Sequence, residues 1–332
     1  MILRRATFSI AAVTLLLSLM STASSAAAGT TQVSSSNGLR VSPVRTELTI
    51  YPGQSKTVPV YVTNATKTPA SLQVIIDDFI ARGDNGTPAL LIKQSNGYNP
   101  HSLKQFIAPI KNVLLAPEQE SLVNVVINIP KSTPGGGYYA AVRFAPASIN
   151  ATHNVTLAAS VASLILVKVP GPGMKEQLDL NSFNVSNSSG PSRLFFGSNG
   201  LSAIVKFENT GNVQEEPYGK IEVQSGSKTI MTKVINNVTP PGSVLPGSYR
   251  QFSVPLSGLG SFGKYTVNGY FGYGTSGQLL SASTTIYVVA YWIIILAVIV
   301  LFLIIFGIWG MPKVFRYWYK RSIRSTKHKE YQ

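Results

Sequence analysis

Apolar and polar residues alternate in short runs from Leu39 onward. Val58, Val60 and Val62 are interleaved with Thr57, Pro59, Tyr61 and Thr63. A period of two marks a strand with one face buried. Pro59 has no N–H to give, so its strand lies on an edge or pairs there on one side only. Leu72, Val74 and Ile76 repeat the alternation, and residues 40–51, 113–115, 121–129, 138–144 and 155–169 read as further strands. Pro52-Gly53 is the turn between the first two. About seven short strands with turns between them predict a sandwich of immunoglobulin-like size. Residues 78–111 break the pattern and read as holding a long functional loop or a short helix at 101–107.

Pro170-Gly171-Pro172-Gly173 punctuates the chain, and alternation then resumes. Leu201, Ala203, Val205 and Phe207 face one way; Ser202, Ile204, Lys206 and Glu208 face the other. Residues 220–224, 229–235, 250–255, 265–273 and 279–288 complete a second sandwich. The expected fold is all-β: two tandem immunoglobulin-like β-sandwiches, at 39–170 and 176–285 around a linker at 171–175, followed by one C-terminal transmembrane helix at 286–311.

That last segment holds 26 residues without a charge, and a span needs roughly 20. Trp292 and Trp309 are 17 residues apart, roughly 26 Å along a helix, which places an indole at each membrane interface. The tail at 312–332 carries Lys313, Arg316, Lys320, Arg321, Arg324, Lys327 and Lys329 against Glu330. Such a cationic flank marks the cytoplasmic side, and a tail this short is expected to stay unfolded while holding anionic headgroups. At the other end, Arg4 and Arg5 precede an apolar run over 8–20 and the small-residue site Ala26-Ala27-Ala28. Residues 1–28 therefore read as a secretory signal and 29–38 as a Ser/Thr/Gly-rich leader. A twin-arginine variant is the alternative for the signal. Together the ends predict a type I single-pass membrane protein with an extracellular ectodomain.

Composition narrows the chemistry. The 332 residues include no Cys and three His, which removes disulfide scaffolds, thiolate metal sites and thiol catalysis. The net charge is +15, from 28 Lys and Arg against 13 Asp and Glu. The signal and the tail account for +8 of it, leaving +7 on the ectodomain. Nucleic acid is thus a poor explanation of the charge, whereas anionic polymers or headgroups suit it. No cofactor or metal is expected. Both G-x-G-x-x-G matches, at 258–263 and 272–277, lie between strands, where a dinucleotide site needs a strand followed by a helix. Asp77, Asp78 and Asp84 are the candidates for a calcium site or for a hydrolytic carboxylate pair; a strand end and a polar turn are the favoured explanation of them. His101 and His153 fall in loops, with no nucleophile elbow to serve. Tyr138, Tyr139 and Arg143 are the candidate ligand contacts, because Arg143 is out of phase with Val142 and Phe144 and so points away from the core. Seven Asn begin N-x-[ST] sequons: Asn64, Asn85, Asn150, Asn154, Asn184, Asn187 and Asn237.

The runs Val41-Ser-Pro-Val-Arg-Thr-Glu-Leu-Thr-Ile-Tyr-Pro-Gly-Gln54 and Lys56-Thr-Val-Pro-Val-Tyr-Val-Thr-Asn64 resemble the opening of the WxL-interacting proteins of bacterial surfaces. Pro134-Gly-Gly-Gly-Tyr-Tyr-Ala-Ala-Val-Arg-Phe144 is similar to that family's glycine-led late strand, and Phe207-Glu-Asn-Thr-Gly-Asn212 to a turn of bacterial immunoglobulin-like modules. The resemblance implies two immunoglobulin-like domains, one span and a basic tail. It implies peptidoglycan binding by the first domain and partner-protein binding by the second. The expected function is a membrane-anchored, non-enzymatic scaffold or adhesin holding a cell-wall polymer or a surface protein. The alternatives are an envelope chaperone that donates an edge strand, and a wall-modifying hydrolase using Asp77 or Asp78.

Overall fold

A proline divides the first strand between two sheets. In the computed structural model, which describes residues 38–92, 99–147, 160–309 and 311–327, the stretch expected to be one strand is two. β1 (Leu39–Ser42) and β2 (Arg45–Thr49) flank Pro43. Pro43 cannot donate to a ladder, so pairing with the first sheet stops at Ser42 and the chain crosses to the second. The remaining strands of this sandwich are β3 (Ser55–Asn64), β4 (Ala70–Asp77), β5 (Phe79–Arg82), β6 (Thr87–Leu90), β7 (Val113–Leu115), β8 (Glu120–Asn128), β9 (Gly136–Pro146) and β10 (Val161–Val169). They form a sheet β1-β3-β8, a sheet β2-β10-β9-β4-β7 and a hairpin β5-β6. β1 reaches along β3 only as far as Tyr61, so Pro59 pairs with Asn124 of β8 alone. Val58, Val60 and Val62 meet Leu72, Val142, Phe144 and Ile165 across the core.

Residues 78–92 and 99–111 hold more regular structure than their pattern suggests. β5 and β6 turn through Gly83 and Gly86, both with φ of 68°, a conformation that glycine adopts without a Cβ clash. A 3-10 turn occupies Lys104–Phe106. Four-residue strands, one carrying Pro88, are too short for periodicity to reveal.

The second sandwich contains β11 (Leu178–Asn187), β12 (Gly190–Pro191), β13 (Leu194–Phe195), β14 (Ser202–Asn209), β15 (Tyr218–Ser225), β16 (Lys228–Ile235), β17 (Tyr249–Pro255), β18 (Phe262–Tyr273) and β19 (Gln278–Val289). Its sheets are β12-β11-β14-β17 and β13-β19-β18-β15-β16. Phe207, Phe271, Val205 and Val267 lie in the core between them. The glycines at 272–277 form the β18–β19 hairpin and those at 258–263 lead into β18.

The two sandwiches repeat one device. Asn64 ends β3 and Asn209 ends β14, both fully buried. Asn64 Nδ2 donates to the carbonyls of Thr68 (2.8 Å) and Ala116 (3.1 Å), and its Oδ1 accepts from the N–H of Thr66. Asn209 donates to Val213 (2.7 Å) and Val244 (2.8 Å) and accepts from the N–H of Gly211. Each fully buried side chain closes its loop by satisfying backbone groups of that loop. Asn64 also begins a sequon, but its amide is occupied inside the fold.

β19 runs to Val289, with Ile286 and Val288 buried in the sandwich core. The apolar run from 286 is therefore shared between a strand and a helix. α1 (Tyr291–Trp309) begins five residues later than expected and is long and apolar enough to cross a membrane. Trp292 and Trp309 lie at its two ends, both exposed. The tail expected to be unfolded contains a second helix, α2 (Met311–Lys327). Lys313 and Arg316 fall within its first two turns. The expected signal at 1–28, nearly all of the 29–38 leader, and the sequons at Asn150 and Asn154 lie outside the described residues.

Candidate functional site at the junction of the sandwiches

The Pro-Gly stretch read as a linker is a hydrogen-bonded corner. Gly135 N–H donates to Pro172 O (2.9 Å) and Gly137 N–H to Asn212 O (2.8 Å). Asn212 Nδ2 donates to Gly173 O (2.8 Å), and its Oδ1 accepts from the N–H of Lys175 (2.7 Å). Tyr139 OH donates to Gln214 (3.1 Å), and Lys168 pairs with Glu176 (2.8 Å). A Cβ on Gly135 would overlap the Gly171 carbonyl and lie 2.9 Å from Met174 N. The glycines let the two backbones meet. The β5–β6 hairpin adds a second bridge: Asp84 pairs with Lys206 (2.8 Å), and its carbonyl accepts from Gln251 N–H.

Between these bridges lies a cleft of about 180 Å³, lined by Arg45, Phe79, Leu164, Leu166, Ser243, Leu245 and Arg250. β2 places Arg45 beside Leu164 of β10, and β17 supplies Arg250 from the other sandwich. Arg45 donates to Pro241 O (2.8 Å), Glu216 (3.2 Å) and Ser243 Oγ, and pairs with Glu47. Arg250 is placed differently. It donates to Ser243 O (2.9 Å) and lies 5.6 Å from the ring of Phe252. Among the described residues it has no carboxylate in ion-pair contact. Burial holds both guanidiniums below their usual pKa; at Arg45, Glu216 opposes that shift and the Arg250 charge adds to it. Both stay cationic at neutral pH.

Glu215 is a junction acid whose pKa is raised. Burial, followed by the neighbouring Glu176 carboxylate, raises its pKa to about 7; Lys168 opposes this. The fold thus favours the neutral acid. Its contribution to stability is complete below about pH 4.5, declines through the interval to 7, and is lost above that. We expect Glu215→Gln to be the more stable protein at pH 8, by on the order of 2 kcal/mol once partial solvent screening is allowed for. Thermal melts of both forms between pH 4.5 and 8 check this: the wild-type midpoint should fall across the series, and the variant's should change less.

The residues expected to touch a ligand are committed elsewhere. Tyr138 is buried, donates to Pro134 O (3.0 Å) and packs edge-on against Phe106. Tyr139 is buried at the junction, and burial holds its phenol well above the usual pKa. Arg143 points away from the core as its phase predicts, but not into solvent. Its side chain is 12% exposed and bonds to Asp77, itself 7% exposed, at 2.6 Å. Each of the three thus makes contacts within the fold. Asp77, Asp78 and Asp84 do not converge: Asp78 accepts from Ser102 Oγ (2.7 Å), and Asp84 reaches the other sandwich. His101 bonds Gly137 O (2.9 Å); His153 lies outside the described residues. Lys313 and Arg316 lie on α2, as do Lys320, Arg321 and Arg324. Arg45 and Arg250 carried no local signal. They stand 205 positions apart, each in an ordinary strand pattern, and only the packing of the two sandwiches brings them to one cleft.

No protein-family profile and no curated protein matches the chain. Among solved structures, the class 5 fimbriae chaperone CfaA is similar at 14% identity, covering 76% of this chain and 99% of that one with a TM-score of 0.35. The E. coli chaperone DraB is 14% identical, covering 75% and 96% with a TM-score of 0.31. A Porphyromonas gingivalis W83 protein of unknown function is 11% identical, covering 76% and 100% with a TM-score of 0.28. Scores of this size transfer no function.

Proposed function

We propose that the chain is a membrane-tethered, non-catalytic binding protein that holds a polypeptide partner at the junction of its two sandwiches. α1 is its span, the sandwiches face outward, and the cationic tail lies in the cytoplasm. One observation supports the binding site above others. Arg250 lines a small cleft without a carboxylate partner among the described residues, between apolar walls from Phe79, Leu164, Leu166 and Leu245. A buried charge is costly unless paired, and these walls favour an apolar body. A chain end with a free carboxylate and an apolar last side chain meets both demands. β2, the edge of its sheet, runs beside the cleft and offers backbone groups for strand addition. This favours the chaperone-like alternative over a wall polymer. Fluorescence anisotropy of the full chain in detergent micelles tests the proposal. A labelled decapeptide ending in leucine should bind more tightly as the free acid than as the C-terminal amide. Equal affinity for the two would remove the carboxylate from the proposal.

A further inference from the structure

The end of the second sandwich next to α1 carries exposed aromatics outside its hydrophobic core. Phe262 is 67% exposed, Phe196 46%, Tyr291 63% and Trp292 60%. Phe196 stacks on Tyr291, with ring centres 5.4 Å apart and planes inclined by 27°. Phe262 opposes Val289 on the last rung of the β18–β19 ladder. The chain has little slack here. Ala290 is the single residue between β19 and α1, it is buried, and its N–H donates to Ser261 O (2.8 Å). Its carbonyl accepts from the N–H of Ile293 (3.0 Å), which begins the helical bonding at once. The sandwich is therefore held at the helix end by backbone bonds. Lys264, opposite Tyr287 on the same ladder, places a cation on the next layer outward.

We infer that the base of the second sandwich is set into the outer headgroup layer of the bilayer that α1 crosses, with Phe196 and Phe262 inserted beside Tyr291 and Trp292. This rests on the reading of α1 as a span. Lipid is the occupant because the aromatic surface is continuous with the first turn of α1. Aromatic rings favour the boundary between headgroups and acyl chains, and a lysine just outside them suits phosphate groups. The ectodomain then stands at a fixed attitude instead of swinging on a tether.

The absence of cysteine from the sequence allows one thiol to be placed at will. Full-length Phe262→Cys, Phe196→Cys, Leu279→Cys and Phe302→Cys would each carry a nitrobenzoxadiazole label in phosphatidylcholine/phosphatidylglycerol vesicles. Quenching by lipids spin-labelled near the headgroup or deep in the chain is then read. Leu279 is exposed at the other end of β19, 81% accessible; Phe302 is within α1. We expect labels at 262 and 196 to be quenched by the shallow probe, 302 by the deep probe, and 279 by neither. If 302 is quenched while 262 and 196 behave like 279, the inference is overturned and the span stands. If 302 is not quenched, both fail. A blue-shifted label at 262 and 196 without lipid quenching would assign the surface to a second copy and likewise overturn the inference.

Discussion

Asn209→Ala should lower the unfolding free energy of the second sandwich by about 3 kcal/mol. Its side chain is fully buried and bonded to two carbonyls and one N–H. Alanine leaves all three without a partner in a place that water cannot fill. For a sandwich of this size the midpoint of thermal unfolding should drop by roughly 10 °C or more. Asn209→Asp keeps the shape and the acceptor but loses the donor, so it should fare no better. Asn64→Ala predicts the same loss in the first sandwich. Circular dichroism melts of the three variants measure this. A drop of only a degree or two would mean that the loops are held by something other than the asparagines.

Asp77→Ala should cost about 3 kcal/mol, because it strands a guanidinium that is already out of water. Adding Arg143→Met should restore most of that loss, since the buried charge is then gone. Chemical denaturation of the single and double variants reads both. An additive loss, with no recovery in the double variant, would show that Arg143 is stabilised by something besides Asp77. The same pair separates structure from binding: if Arg143 were a ligand contact, the double variant would be stable but unable to bind. We expect it to bind as the wild type does.

These residues also show how far the sequence could be read. The phase of Arg143 was legible, because strand side chains alternate whatever surrounds them. Its burial was not, because its ion-pair partner, Asp77 of β4, stands 66 positions away in the chain. The alternation in β3, β8, β14 and β18 was plain because each is eight residues or longer with one face in a core. β5 and β6 were hidden by their length, and the start of α1 by a strand and a helix sharing one apolar run. Pro43 lies inside a stretch, 40–51, that reads as one strand, and an isolated proline does not say that the chain changes sheets. The cleft was the least legible feature. Arg45 and Arg250 meet through tertiary packing alone, and no spacing rule links residues on different sandwiches. The turn at 207–212 was visible as a motif, while its purpose needed the structure: Asn209 closes a loop and Asn212 ties the two sandwiches together.

The most direct test of the cleft is a binding cycle on the full chain. Wild type and Arg250→Gln are each titrated with the same decapeptide as free acid and as amide. If Arg250 receives the carboxylate, amidation should weaken binding to wild type by tenfold or more, about 1.4 kcal/mol, and should leave the variant's affinity nearly unchanged. An equal loss on amidation in both proteins would contradict the account, placing the carboxylate elsewhere and leaving the junction a structural clamp between two sandwiches.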